Sequence, residues 1–318
     1  MQKKHSHLGH ALRCQIYALK KRDLSQHAIA RELGIDQSTV SRELKRNSGK
    51  RGYRYKQADR KARNRRANVY VKRTKKLSGF ALRFVISKLK EKWSPEQISG
   101  SLKKDHKIKL CHEMIYRYVY QNKRSGGGLY KHLRRKGKKY QKRGSRKYAG
   151  RGYIKDRVDI SERPKIVEKK KRFGDFEADL IEGTKKGKAV LLTLVDRKTQ
   201  FLLIEKCPSK NASEVRKAMI KSLKPYKGRI YTITSDNGKE FSEHALVAQK
   251  LGVRYFFAKP YAAWQRGLNE NTNGLVRGYY PKGTNFAKVD VKEIRRVTKN
   301  INNRPRKKLN YTKPLELV

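Results

Sequence analysis

The feature that most constrains the fold is a change of texture near Ile160. Beyond that point, short apolar runs bounded by turn residues alternate with segments of helical period. Phe176–Ile181, Ala189–Val195 and Phe201–Lys206 read as three strands in succession. A helix over Ala212–Leu223, a strand over Ile230–Thr234, a helix near Glu240–Lys250 and a short strand over Val253–Phe257 come next. Helices around Trp264–Arg277 and Lys292–Asn302 complete the pattern. Strands in series followed by strand–helix alternation predict an α/β domain with a mixed sheet over 160–318.

The part before it is helical. Leu12, Ile16 and Leu19 mark one amphipathic helix ending near Lys21, and Ser25 stands where an N-cap belongs, ahead of Ala28, Ile29 and Leu33. Gly34 breaks that helix and Asp36 caps a third, carried by Val40 and Leu44. Small Ala30, the glycine turn and the Val40 anchor predict a helix-turn-helix domain over 1–50. Its third helix offers Gln37, Ser38, Thr39, Ser41, Arg42 and Lys45 to base edges and phosphates.

A basic helix around Gln57–Arg63 and a second helical unit fill 51–124. In that unit Leu82, Val85, Ile86 and Leu89 form a stripe, Ser94-Pro95-Glu96 starts a helix, and Cys111–Tyr120 forms another. It reads equally as a second DNA-reading module and as a connector. Gly126-Gly127-Gly128 and the Lys/Arg-rich 136–147 mark 125–159 as a basic linker. No GxxxxGK[ST] pattern accompanies the glycines, which excludes a phosphate loop of that type.

Charge narrows the function. Lys and Arg number 83 against 27 Asp and Glu, a formal net charge of +56 spread along the whole chain. That is the electrostatic footprint of a nucleic-acid binder. No apolar run approaches the ~18 residues of a membrane span, so no membrane partner is expected. Cys14, Cys111 and Cys207 are scattered and odd in number, in keeping with a reducing cytoplasm. His5, His7 and His10 read as a frayed terminal arm.

Against this basic background three acids stand out. Asp179 lies in the first strand, Asp236 ends the Ile230 run just before Asn237-Gly238, and Glu270 falls in an Asn-rich helix. Alternation in a strand puts Asp175, Glu177 and Asp179 on one face, and the carboxyl end at Asp236 is where sites gather in α/β sheets. Hard carboxylate oxygens suit Mg²⁺ or Mn²⁺, and a cation is the natural reason to assemble like charges. Two such ions serve phosphoryl transfer. Asn273 and Arg277, at i+3 and i+7 from Glu270, share its helical face, so Arg277 is placed to reach a phosphate.

Several motifs resemble one family. They are Gly174-Asp-Phe-Glu-Ala-Asp-Leu-Ile181, Thr234-Ser-Asp-Asn-Gly-Lys-Glu-Phe241 and the stretch Lys259-Pro-Tyr-Ala-Ala-Trp-Gln-Arg-Gly-Leu-Asn-Glu-Asn-Thr-Asn-Gly-Leu-Val-Arg277. Tyr280-Pro-Lys-Gly-Thr-Asn-Phe286, Asn302-Asn-Arg-Pro-Arg-Lys307, Thr39-Val-Ser-Arg-Glu-Leu44 and Trp93-Ser-Pro-Glu-Gln97 extend the likeness over nearly the whole chain. Together they resemble transposases of the insertion-sequence-thirty family, bacterial DDE enzymes with a ribonuclease-H-like, retroviral-integrase-like core. The resemblance implies that Asp179, Asp236 and Glu270 hold two Mg²⁺ ions, with Mn²⁺ as a substitute. Arg266, Asn273 and Arg277 then contact phosphate beside them. It also implies double-stranded DNA partners, both terminal inverted repeats and target, with 3′ strands cut and joined to the target. At least a dimer would be needed to pair two ends. Departures are Asp175-Phe-Glu-Ala-Asp179, where family members commonly have His-Trp-Glu-Gly-Asp, and Gln265, where they have an acid.

Overall fold

The computed structural model describes residues 8–75, 77, 79–134, 154, 156–184, 187–260 and 262–318. His5, His7 and the basic 136–147 stretch lie outside the described residues. The chain divides into two compact units, Met1–Leu82 and Arg83–Val318. The basic helix therefore belongs with the helix-turn-helix, and the second helical unit belongs with the α/β sheet.

In the first unit α1 (His10–Lys21), α2 (Gln26–Glu32), α3 (Gln37–Asn47) and α4 (Tyr55–Lys75) surround Ile16, Ile29, Val40 and Ala58. The Ser25 hydroxyl accepts from the Ala28 N–H, and Asp36 caps α3 by accepting from the Ser38 N–H at 2.7 Å. Gly34 takes φ +61°, the left-handed conformation that lets the chain turn between α2 and α3. A buried charge cluster ties three helices together. The Arg13 guanidinium meets Glu43 at 2.8 Å and Asp59 at 3.1 Å, and the Tyr53 hydroxyl donates to Glu43. On α3, Arg42 and Lys45 are exposed, while Gln37, Ser38, Thr39 and Ser41 are half-buried.

The boundary falls within α5 (Gly79–Lys90), and the second unit continues with α6 (Pro95–Asp105) and α7 (His112–Arg124). Ser94 opens α6 with a capping box, its hydroxyl accepting from Gln97 N–H while the Gln97 side chain accepts from Ser94 N–H. After the short α8 (Lys165–Lys169) comes a five-stranded sheet made of β1 (Asp175–Glu182), β2 (Val190–Asp196), β3 (Leu202–Cys207), β4 (Thr232–Ser235) and β5 (Arg254–Phe257). The strand order is β3-β2-β1-β4-β5, with β1, β2 and β3 antiparallel and β4 and β5 parallel to β1. This is the expected mixed sheet, and each expected strand is present with its ends shifted by no more than two residues.

Helices cover both faces. α9 (Ala212–Leu223) and α10 (His244–Leu251) bury Val215, Met219, Leu223, Val247 and Leu251 against Phe176, Ala178, Leu192 and Ile233. α11 (Gly267–Val276) and α12 (Val291–Asn302) bury Val276, Ile294, Val297 and Ile301 against Ile181, Leu191 and Val195. Alternation along β1 sends Phe176 and Ala178 to the first core. Asp175, Glu177, Asp179 and Ile181 go to the other side. The polar end of that second face lies beside α11. None of the described helices is long and apolar enough to cross a membrane.

Candidate active site

Strand pairing brings the first two acids together. β1 and β4 run parallel with Asp175 opposite Thr232 and Glu177 opposite Thr234. Continuing that register by two residues sets Asp236, at the carboxyl end of β4, beside Asp179. Asp236 turns its own backbone by accepting from the Gly238 N–H at 3.1 Å, which fixes its carboxylate at the strand end.

One guanidinium serves both. Arg266 Nη2 lies 3.2 Å from Asp236 Oδ2, and its Nη1 lies 3.7 Å from Asp179 Oδ1 while donating to the Ala178 carbonyl at 3.0 Å. Arg266, expected at a phosphate, is thus engaged by the acids themselves. Asp179 is held further by Asn273, whose Nδ2 donates to its Oδ2 at 2.8 Å. The Asn273 carbonyl oxygen accepts from the Thr193 hydroxyl at 3.0 Å, and Thr193 stands opposite Asp179 on β2. This chain clamps α11 to the sheet at the acid.

Burial pushes the Asp179 carboxyl up to about 6. Arg266 pulls it down, but the charges of Asp236 and Glu240 add to the upward push. Glu240 was not among the sequence candidates. It follows the Asn237-Gly238 turn, and its carboxylate folds back against Gly238. Its only signal in the sequence is an acid four positions after Asp236.

Glu270 sits in the first turn of α11, exposed. Among the described residues no three His, Cys, Asp or Glu side chains converge tightly enough to hold a metal ion. The structure therefore assembles Asp179 and Asp236 but does not bring Glu270 into a three-carboxylate cluster. The chemistry of the donor set still fits a hard cation, because the two aspartates already share one positive charge. Arg277 is placed differently from Asn273. Its Nη2 donates to the Glu182 carbonyl at 2.6 Å, three residues beyond Asp179 on β1.

The other two acids of this face are sealed into the fold. Asp175 pairs with Arg172 at 2.9 Å and accepts from the Thr232 hydroxyl. Glu177 pairs with Arg197 at 2.8 Å and accepts from the Asn269 N–H at 3.1 Å, which anchors the start of α11. Arg197 also reaches Glu168, and Glu168 pairs with Arg163.

Residues 4–47 match the profile of a helix-turn-helix domain, and residues 171–263 match that of an integrase core domain, a span that holds Asp179 and Asp236 and stops short of Glu270. The transposase for insertion sequence element IS4351 of Bacteroides fragilis is 46% identical over 98% of this chain and 94% of its own. Transposase InsI for insertion sequence element IS30A of Escherichia coli K12 is 35% identical over 98% of this chain and 83% of its own. The magnesium-bound catalytic core of HTLV-2 integrase (trimeric form) overlays with a TM-score of 0.36 at 16% identity, across 46% of this chain and 95% of that one, which is too weak to bear on the assignment. Full-length identity at this level settles the family: the chain belongs to the IS30 transposases.

Proposed function

We propose that the chain binds the terminal inverted repeats of its insertion sequence through the helix-turn-helix, cuts the 3′ strands, and joins them to target DNA. The observation that carries this reading is the pair Asp179 and Asp236, set on adjacent parallel strands around a single cationic group. A site that stabilises one positive charge between two carboxylates suits a divalent ion. Asp179, Asp236 and Glu270 would hold Mg²⁺, or Mn²⁺ in its place. When bound, a pair of such ions supplies activation of water or of a DNA 3′-hydroxyl and stabilises the leaving oxygen.

The chain's own residues prepare that chemistry. Asn273 fixes the Asp179 rotamer, the turn at Gly238 fixes Asp236, and Arg266 offsets their repulsion while no ion is there. Glu270 lies one residue beyond the backbone N–H that Glu177 anchors, so its helix start is held to the same strand as Asp179. Arg42 and Lys45 on the exposed side of α3 suit duplex contacts, with Gln37, Ser38, Thr39 and Ser41 beside them. Pairing two element ends requires at least two copies of the chain on DNA.

The test is Asp236→Asn. Mg²⁺-dependent nicking of a duplex carrying the element's ends should fall on the order of 10³-fold, equivalent to ~4 kcal/mol of lost transition-state stabilisation. Gel-shift affinity for the same duplex should stay within about twofold, since α3 is untouched. A variant that still nicks at the wild-type rate would remove Asp236 from the chemistry and leave a DNA-binding regulator as the reading.

A further inference from the structure

A cleft of about 1010 Å³ lies on the other side of α11 from Asp179. Asn273 points from α11 to the acid site, whereas Asn271, Gly274 and Gly278 line the cleft. The opposite wall comes from α6, α7 and the turn at Leu129–His132, and the segment after α12 completes it. Contacts between distant stretches hold these walls in place. Lys92 Nζ donates to the Gly278 carbonyl at 2.7 Å, and Lys307 pairs with Glu96.

The cleft is cationic in depth as well as at its rim. Nine of its lining residues are Lys or Arg, against the two carboxylates Glu96 and Glu113. Arg304 and Arg306 are only 4% and 6% exposed, and among the described residues neither has a carboxylate partner. Arg304 donates to the Tyr279 hydroxyl at 2.9 Å and weakly to the Glu91 carbonyl, while Arg306 donates to the Ile301 carbonyl at 3.1 Å. Among the described residues, the Nε atoms of both, and Nη1 of Arg277, are buried without a hydrogen-bond partner. Burial, reinforced by Arg304, pushes Arg306 down to about 10. Two buried guanidiniums with neither acid nor full hydrogen bonding are costly unless an anion from outside completes them.

The shape narrows the anion. Pockets of roughly 300–1,000 Å³ take a drug-sized ligand, so this cleft accepts a few linked units and is too small for a double helix. Its wall also carries aromatic surface. Tyr116 and Tyr120 stack with centroids 6.3 Å apart and planes 18° apart, and Tyr120 is 43% exposed. A basic groove with exposed aromatic rings is the pattern that binds single strands, with phosphates on the cations and bases on the rings.

We propose that this cleft binds a short single-stranded DNA segment, its phosphodiesters on Arg304 and Arg306 and its bases against Tyr116 and Tyr120. The inference rests on the reading of the chain as a DNA-cutting enzyme, because a cut creates a strand end, and the nucleotides that unpair at such an end fit a cleft of this size. It adds a second DNA site to that reading, one separate from the duplex-contacting face of α3.

The experiment is anisotropy of fluorescein-labelled oligothymidylate, about 15 nucleotides long, with the full chain across a salt series. Lys131 and Lys308 are exposed cleft residues, so changing them leaves the fold intact. Lys131→Ala with Lys308→Ala should raise Kd about tenfold at moderate salt. It should also flatten the log–log salt slope by about 1.4, or ~0.7 for each lost single-strand phosphate contact. Tyr120→Ala should raise Kd about fivefold, the lower end for one stacked base. Arg42→Ala should weaken duplex binding and leave the oligothymidylate Kd within about twofold. Unchanged affinity and slope in both cleft variants would overturn the proposal, as would a loss confined to duplex DNA. Failure of the catalytic reading looks different: wild-type chain that never nicks element ends, with the cleft losses still present.

Discussion

Glu177 and Asp179 stand two residues apart on the same face of β1, yet the fold treats them in opposite ways. Glu177 is almost wholly buried, meets Arg197 at 2.8 Å, and accepts a backbone N–H from α11. Asp179 keeps a quarter of its side chain exposed, and its nearest cation, Arg266, stops at 3.7 Å and is shared with Asp236. A carboxylate with a full set of partners is part of the frame. One that is left under-neutralised at an opening is available to bind something else. The same contrast separates buried Arg13, matched by Glu43 and Asp59, from Arg304 and Arg306, which have no acid partner among the described residues.

The sharpest way to break the comparison is to remove the framing cation. Arg197→Met would leave Glu177 buried without its partner and release Glu168 from one of its two arginines. Burial already pushes the Glu177 carboxyl upward despite Arg197, the Asn269 N–H and the charges of Arg266 and Lys170, and Arg197 is the largest of those restraints. Breaking a buried pair on one side costs about 3–5 kcal/mol, to be read as a drop in the urea midpoint. A loss under about 1 kcal/mol would mean that Glu177 is not a framing residue.

Asp179 should respond with the opposite sign. Its folded-state value of about 6 lies above the ordinary 3.8, so the folded protein holds this proton more tightly than the unfolded chain. The stability this contributes is present below about pH 4 and lost as pH rises through 6. Asp179→Asn removes the charge that burial penalises, but it also replaces one of two acceptor oxygens used by Leu180 and Asn273. The net result should be a metal-free protein about 1 kcal/mol more stable than wild type at pH 8, with the gain fading as pH falls from 6 towards 4. Thermal melts across pH, in chelator, provide the measurement. A destabilised variant at pH 8 would place Asp179 in the frame alongside Glu177.

The sequence made the sheet and its flanking helices legible, because apolar alternation and turn residues are local signals. Asp179 and Asp236 stood out as acids at apolar run ends in a basic chain. What sorts Asp179 from Glu177 is not local. Arg197, Glu168 and Arg163 reach Glu177 only once β1, β2 and α8 have packed. Arg266 was one cation among 83, and its place between two acids depends on β1 and β4 being neighbours. The cleft is less legible still, since its walls join residues as far apart as Lys92 and Gly278. Ser94-Pro95-Glu96 and the Arg304–Lys307 stretch were visible as motifs, but no periodicity says that they face each other across a groove.

Arg266 gives the finest test of the contrast. If it stands in for a metal's charge, it and a divalent ion compete for the same two carboxylates. Arg266→Gln removes that competitor and keeps a side chain able to donate to the Ala178 carbonyl. A unit positive charge a few ångströms from a divalent ion is strongly unfavourable in principle, but a flexible arginine swings away, so only part of that cost is recovered on removal. The expected change is Mn²⁺ binding about three- to tenfold tighter, a gain of ~1 kcal/mol. Calorimetric titration of the DNA-free protein reads it without reference to turnover. The same variant should lose a little stability in chelator, where two carboxylates then face each other unneutralised. Weaker Mn²⁺ binding would show instead that Arg266 orients the aspartates for the ion, and its likeness to Arg197 would then outweigh the difference.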